Sequence, residues 1–477
     1  MAVKYEAKSH LSWLTWDAQM QHQMLGILKK LEDPGTVDDL GVRQIQIAFG
    51  NHFFPGTSVL LTRLRYAIFV IWILQDLEQE IVKNKSTSID WKNVLYEHER
   101  SIWTKLKAKK NAEKNAQEDK WHGLIGVTLK DLPQYMSICT YYKTLLKEWG
   151  VIVGDWNDVI QELKSFADNQ QGSNSNDDAS LAKIWQGNHL KWPNFKDIAS
   201  VKSSDWTFQM TDLECDYLKN QLNHTYPNSL LYLLMDLQKD EWNRFTQKVD
   251  NQHINLFALE VETTPWLQKL GSEEFQTHFY FAQFFANLMQ GAQIYYHYLL
   301  CEHISSDSKE KDEIKKYREK CTDVFSKWLK LFHSRFVHKD ALKPQKLKGK
   351  ALLNGFEDFV HTQFNLSSAE NGRNSDLDFI TEWANAIFSY GDNIDEFLND
   401  EKVRKLIQER EQSKKKHLSR FKNRKRFQKW VFSVKDSEPK FAIFDYRWST
   451  VRKLMNDFHN AVPFQNGQSE GSDASKG

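Results

Sequence analysis

Residues 281–302 read FAQFFANLMQGAQIYYHYLLCE. Apolar and aromatic side chains would cover most faces of a helix through this stretch, which is typical of a helix buried on all sides. Gly291 and Ala292 form a small patch in its middle, where another helix could approach closely. His297 lies within this apolar stretch, where a buried histidine is more often structural than a metal ligand. The stretch predicts a core helix, with His297 as a buried structural residue.

The rest of the chain shares this preference for helices. Apolar residues recur at spacings of three and four, and glycine (20) and proline (9) are scarce among 477 residues. A hydrophobic content of 40% is enough for a large core in two or three domains. Trp430 to Val434 and Phe441 to Phe444 are compatible with a short β-hairpin around the turn-like KDSEP. We predict a mainly α, multi-helical protein, with a possible hairpin near the C-terminus.

The predicted domain organisation depends on one polar tract. Residues 168–180 read DNQQGSNSNDDAS and offer almost no apolar side chain to bury, which is typical of a linker or a loop. We predict an N-terminal helical domain (1–167), this polar segment (168–180), a central helical domain (181–400), a C-terminal part with a basic helix, the hairpin and a last helix (401–464), and a disordered tail (465–477).

Positive charge is concentrated in one segment. The whole chain is nearly neutral, at +1, yet residues 402–429, the basic segment, hold thirteen Lys/Arg against the two acids Glu409 and Glu411. A local cluster of this kind attracts a polyanion even when the total charge is small. Phe421, Phe427 and Trp430 are interleaved with the cations and could stack on exposed bases. The predicted nucleic-acid contacts are Lys414, Lys415, Lys416, Arg420, Lys422, Arg424, Lys425, Arg426 and Lys429. Docking of a protein partner and a merely solvated surface are the alternatives.

Two further motifs could bind an anion or could be structural. In FFPGTSVLLTRLRY, residues 53–66, a Pro-Gly turn precedes a predicted helix start with Thr57 or Ser58 as its cap. Arg63 and Arg65 follow and could hold a phosphate there, or could pair with acids elsewhere in the fold. In FDYRW, Asp445 and Arg447 have a spacing that more often stabilises local structure than performs chemistry.

Residues 123–150 have the spacing of a helix-turn-helix-like element, although an ordinary helical hairpin would have the same pattern. The segment has a turn at GLIG, a proline, Pro133, that could start a helix, and a closing Trp149-Gly150. This element is a second, weaker candidate for contact with DNA.

Motifs for catalysis are missing from the sequence. It contains no GxxxxGK[ST], HExxH or GxSxG, so neither a nucleotide cofactor nor a metal is predicted. A metal-independent helical ribonuclease could use Arg410 to hold phosphate and His417 as general acid or base.

The four cysteines are far apart without a CxxC and are expected to be reduced. The longest apolar run, Tyr66 to Leu74, is too short to span a bilayer, and no signal peptide is evident, so we expect a cytoplasmic protein with no membrane contact.

A set of motifs occurs in one order along the chain: LSWLTWD, FPGTS with TRLRY, GLIG with LPQYM and LLKEWG, LECDYL, NLMQGAQIYYHYLLCE, ERE through HLSRF, and FDYRW. Together they resemble a bacterial family catalogued as domain of unknown function 6361. The resemblance implies no activity for particular residues. It implies an association with antiviral defence islands, near helicases, nucleases or methyltransferases.

These patterns predict a non-catalytic subunit of a larger assembly, and the family resemblance implies that this assembly is an anti-phage defence system. It would bind nucleic acid, DNA rather than RNA, and would dock a helicase, nuclease or methyltransferase subunit. The alternatives are a protein–protein scaffold without nucleic-acid contact, and the ribonuclease that uses Arg410 and His417.

Overall fold

The computed structural model describes residues 39–84, 91–113, 121–133, 136–152, 206–252, 255–258, 271–305, 308–338, 347–364, 375–391 and 393–463. The predicted mainly α fold is confirmed. The α-helices described are α1 Arg43–Phe53, α2 Tyr66–Asn84, α3 Trp91–Ala112, α4 Ile138–Glu148, α5 Asp212–Thr225, α6 Leu230–Met235, α7 Lys239–Gln252, α8 Glu273–Cys301, α9 Lys311–Phe332, α10 Gly349–Phe364, α11 Ser375–Tyr390, α12 Ile394–Asn399, α13 Glu401–Lys415, α14 Arg424–Val434 and α15 Trp448–His459. A π-helical turn, His333–Val337, extends α9, and a 3-10 turn, Lys416–Leu418, follows α13.

Contacts divide the chain into two compact units, each built from separate stretches of sequence. The first unit comprises Met1–Ile45, Phe257–Leu259 and Tyr280–Phe444, and the second comprises Gln46–Leu256, Glu260–Phe279 and Asp445–Gly477. The polar tract 168–180 and the tail 465–477 lie outside the described residues. The domain boundaries drawn through them remain predictions.

The core of the first unit forms around α8, as its sequence predicts. Gly291 lies directly against the indole of Trp328 on α9, so the small patch does permit a close helix–helix approach. The Trp328 indole N–H donates to the Asn287 carbonyl at 3.0 Å. His297 is buried, with its Nδ1 atom 3.0 Å from the Tyr317 hydroxyl, which confirms it as a buried histidine with a polar partner.

The core of the second unit contains the apolar half of α2. Tyr66 to Leu74 are all buried there, because no face of this stretch is polar. The Tyr142 hydroxyl of α4 donates to the Arg63 carbonyl at 2.7 Å and accepts from the Thr62 amide at 3.1 Å, which holds the turn before α2. None of the described helices combines the length and apolar character needed to cross a membrane.

The predicted hairpin is wrong. Trp430 to Val434 belong to α14, and no strand occurs in the described part of the chain, where Phe441 to Phe444 are irregular. The Asn423 side chain accepts from the Arg426 amide and starts this helix. Trp430, Val431 and Val434 are then buried on one helical face, a spacing that the strand interpretation overlooked.

The predicted helix-turn-helix-like pair is also not observed. Among the described residues of 123–150, one α-helix occurs, α4, and it begins at Ile138 with Ser137 as its cap rather than at Pro133. Gly123 and Gly126 both have positive φ, at 92° and 64°, which agrees with the turn predicted at GLIG.

The four cysteines are free and buried. Cys139, Cys215, Cys301 and Cys321 are each less than 5% exposed, and the expectation of reduced thiols agrees with this arrangement.

Candidate nucleic-acid interface

The basic segment lies in the first unit and folds as a helix, a tight turn and a second helix. The Asp400 side chain accepts from the amides of Lys402 and Val403 and starts α13. The helix ends at Lys415, and the next residue, Lys416, has a φ of 48°, a value that residues other than glycine rarely adopt. The chain then reverses through the 3-10 turn, and α14 begins at Arg424.

A buried carboxylate holds this turn. Glu411 is 1% exposed and accepts from the Arg420 amide at 2.8 Å and from the Ser419 hydroxyl. The Tyr296 hydroxyl of α8 donates to the same carboxylate at 3.3 Å. One of the two acids in the basic segment is therefore a structural element of the turn.

Three of the nine predicted contacts have acidic partners inside the unit. Lys414 pairs with Asp376 at 2.6 Å, and Lys415 pairs with Asp39 at 3.6 Å. Arg420 pairs with Asp39 at 2.8 Å and also donates to the Tyr296 hydroxyl. Burial alone would lower the pKa of Arg420, but Tyr296 and Asp39 raise it above its ordinary value. Together with Arg410, these three cations share the two carboxylates of Asp376 and Asp39, so each has an ion-pair partner in the fold although two positive charges remain.

The other six predicted contacts remain available. All six are exposed, and no acid among the described residues lies within ion-pair distance of any of them. They fall on the turn and on the first half of α14 and will be called the exposed cation cluster: Lys416, Lys422, Arg424, Lys425, Arg426 and Lys429.

The start of α14 carries positive charge where a helix normally prefers negative charge. Its first turn contains Arg424, Lys425 and Arg426 and no acid. Free amide groups give a helix N-terminus a partial positive charge, so these cations repel it. An anion bound at this end would offset that repulsion, which makes the arrangement more favourable with a polyanion than without one.

Two opposite faces of α14 line two different cavities. Arg424, Phe427, Gln428, Val431 and Phe432 follow the i, i+3, i+4, i+7, i+8 spacing of one helical face and line a cavity of about 730 Å³. We call it the aromatic groove. The same spacing, displaced by two residues, places Arg426, Lys429, Trp430, Ser433 and Val434 along a cavity of about 390 Å³, the polar cavity.

The polar cavity mixes both signs of charge. Asp39, Glu411 and His297 face the cations of α14 across it. Burial lowers the pKa of His297 to about 4, so its ring is neutral at pH 7. No cluster of three or more possible metal ligands occurs in the described ranges.

The residues of the ribonuclease alternative are not brought together. Arg410 is buried and donates to Asp376 at 2.7 Å, to the Leu40 carbonyl at 2.7 Å and to the Gly41 carbonyl at 3.0 Å. His417 is exposed in the 3-10 turn. The guanidinium is thus occupied by structural partners, and no described contact joins it to the imidazole.

The two motifs of the second unit are held by internal partners. Arg63 pairs with Asp457 at 2.8 Å, and Arg65 pairs with the fully buried Glu214 at 3.1 Å. Thr57 donates to the Phe54 carbonyl, and Ser58 accepts from the Leu60 amide.

The Asp445 and Arg447 pair acts at the start of α15. Asp445 accepts from the amides of Arg447 and Ser449, at 3.0 and 3.2 Å. The Arg447 guanidinium donates to the Thr57 carbonyl at 2.7 Å. These contacts favour the structural alternative over an anion site for both motifs.

The comparisons with known proteins identify one family. Residues 8–151 match the Family of unknown function (DUF6361). This confirms the resemblance over these residues, and it ends well before the basic segment begins at Lys402. No curated protein and no solved structure matches the chain. The match therefore concerns the N-terminal part of the chain and assigns no role to the candidate interface.

Sequence reasoning missed the acids that divide the basic segment. Asp39 and Asp376 lie far from it in the sequence, and nothing in their surroundings indicates a cationic partner. The aromatic groove could have been found, because the spacing of Phe427, Val431 and Phe432 marks a second apolar face of α14.

Proposed function

We propose that this protein associates with nucleic acid by holding the phosphate backbone on the exposed cation cluster. The observation that carries the proposal is the contrast within the basic segment. Lys414, Lys415 and Arg420 have internal acids, whereas the six cations of the cluster have none in the described chain. The fold gives some cations acidic partners and leaves their neighbours exposed, which keeps a charged strip available to a partner of opposite sign.

The repulsion at the start of α14 supports the same ligand class. The three adjacent cations have the same sign as the partial charge of the helix end and repel it. A polyanion bound there would remove this repulsion. Phosphates spaced regularly along a nucleic-acid strand can contact cations on successive helical turns, whereas a single small anion cannot contact all of them.

We propose a cellular role as well as a ligand. We place the protein in the cytoplasm as a non-catalytic subunit that docks a helicase, nuclease or methyltransferase of an antiviral defence system. The defence context rests on the family resemblance alone. DNA is the proposed ligand in preference to RNA.

Binding to a labelled 20-base-pair DNA duplex over a range of salt concentrations tests the proposal. Six neutralised phosphates predict a log–log slope near −5, since each contributes about −0.9 on duplex DNA. Changing all six cations of the cluster to Gln should lower affinity at least about a hundredfold at 50 mM salt and flatten the slope.

A matched variant controls for total charge. It removes six exposed lysines elsewhere in the same unit: Lys311, Lys315, Lys316, Lys327, Lys330 and Lys350, each changed to Gln. This variant should bind the duplex with nearly the wild-type affinity. Equal affinity of the wild type and the cluster variant would contradict the proposal and leave the scaffold alternative.

A further inference from the structure

The aromatic groove borders the exposed cation cluster, with Lys422 and Arg424 among its lining residues. We propose that the protein binds single-stranded nucleic acid, with bases stacking in the groove and phosphates on Lys422 and Arg424. This inference rests on the proposed function and adds the substrate class to it.

Aromatic rings form the walls of the groove. Phe421, from the turn, and Phe427, from α14, both contact the ring of His303, with centroids 5.0 and 6.4 Å apart. Burial lowers the pKa of His303, so this ring adds a neutral flat surface near pH 7. Phe421 also packs edge-on against Tyr296, which supports it from within the fold.

Phe432 is the part of the groove that is open to a ligand. It is 62% exposed, and it is the one phenylalanine among the exposed large hydrophobic side chains of the described residues. A ring in that position adds nothing to the core of the unit. The ammonium of Lys435 lies 5.0 Å from its centroid, so a cation already accompanies the ring at the groove edge.

The charge around the groove suits an anionic strand. Lys309, Lys422 and Arg424 line it with a single acid, Glu310, among its described lining residues. Lys422 and Arg424 belong to the exposed cation cluster, so the phosphate-binding strip and the aromatic walls are continuous. A cavity of about 730 Å³ lies within the range of sites that enclose a small organic ligand.

Base pairing explains why a single strand is preferred. In a duplex the base faces are already stacked on one another, and a protein reaches only base edges and phosphates. In a single strand each base presents a face that can stack on an aromatic side chain, largely without regard to sequence. A protein partner with an apolar anchor would use the groove but would not need the cations at its edge.

Phe432→Ala is the decisive variant, because loss of an exposed ring should leave the fold intact. Fluorescence anisotropy would measure its affinity for labelled 20-nucleotide oligo(dT), oligo(rU) and a 20-base-pair DNA duplex. Loss of one stacked base should weaken single-strand binding on the order of tenfold and leave duplex binding unchanged. Phe432→Trp should restore single-strand affinity, and Leu331→Ala, which removes a 48% exposed apolar side chain elsewhere in the unit, should have no effect.

The outcomes separate this inference from the proposed function. If the six-cation variant loses binding while Phe432→Ala binds oligo(dT) as the wild type does, the cation cluster stands and the groove inference fails. An equal loss of duplex and single-strand binding in Phe432→Ala would also overturn it. If the wild type binds none of the three probes, both proposals fail.

Discussion

The Nη1 atom of Arg420 lies 2.8 Å from Oδ2 of Asp39, so an arginine in the middle of the basic segment already has an internal partner. Its neighbour Lys422, two residues further, is exposed and has no acid at ion-pair distance in the described chain. Cations of one sequence cluster thus have different roles. This difference makes their effects on stability and on binding separable.

Arg410 and Lys425 illustrate the contrast. Arg410→Gln should lower the free energy of unfolding by about 3 kcal/mol, because buried carbonyl acceptors and part of the Asp376 charge lose their partner. Lys425→Gln removes the same charge from an exposed site and should leave stability unchanged. Urea unfolding followed by circular dichroism measures both. Equal stability of the two variants would show that Arg410 is not structural.

Gly291→Ala should destabilise the protein although alanine is the better helix former. A Cβ atom at residue 291 would overlap the Trp328 indole, and overpacking of this kind costs about 1–3 kcal/mol. Gly349→Ala is the control, because no described atom beyond its chain neighbours lies within 4 Å of its Cβ position and only the backbone penalty of its φ of 55° remains. Thermal unfolding compares the two. A higher melting temperature for Gly291→Ala would mean that the helices are not in such close contact.

His297 should make stability depend on pH. Burial lowers its folded-state pKa to about 4, below the value of about 6.5 in an unfolded chain. Between these two values the unfolded chain binds a proton that the folded protein does not. Stability is therefore lost as the pH falls from 6.5 towards 4, and the contribution of this residue levels off below that.

The variant His297→Gln isolates this contribution from those of His52 and His459, whose pKa values burial also lowers to about 4. The free energy of unfolding should decrease less between pH 7 and pH 4.5 in the variant than in the wild type. Urea unfolding at each pH measures the difference. Parallel curves for the two proteins would place the pKa of His297 near its ordinary value.

The four thiols should be unreactive in the folded protein. Each is buried, and burial raises the pKa values of Cys139 and Cys215, which keeps them protonated at pH 8. Ellman's reagent should detect almost no rapid reaction in native protein and four thiols after denaturation in guanidinium chloride. A thiol that reacts within seconds in native protein would contradict this packing.

Local patterns were sufficient to predict the helical class and the core helix. Residues 281–302 are apolar on nearly every face, so any fold must bury them, and Gly291 leaves room for the close approach of a neighbouring helix. The hairpin failed because Trp430 to Val434 are apolar enough for a strand, and the Asn423 cap decided in favour of a helix. The helix-turn-helix-like pair failed because α4 is the one α-helix among the described residues of 123–150, although the turn predicted at GLIG is present.

The sequence by itself determined that thirteen cations lie within residues 402–429, since composition does not depend on the fold. Only the tertiary structure decided which of them are free. Asp39 and Asp376 reach Lys414, Lys415 and Arg420 across large separations in sequence, and such ion pairs have no local periodicity that could reveal them. Helix faces likewise come from local spacing, whereas the cavities along α14 depend on what packs beside each face.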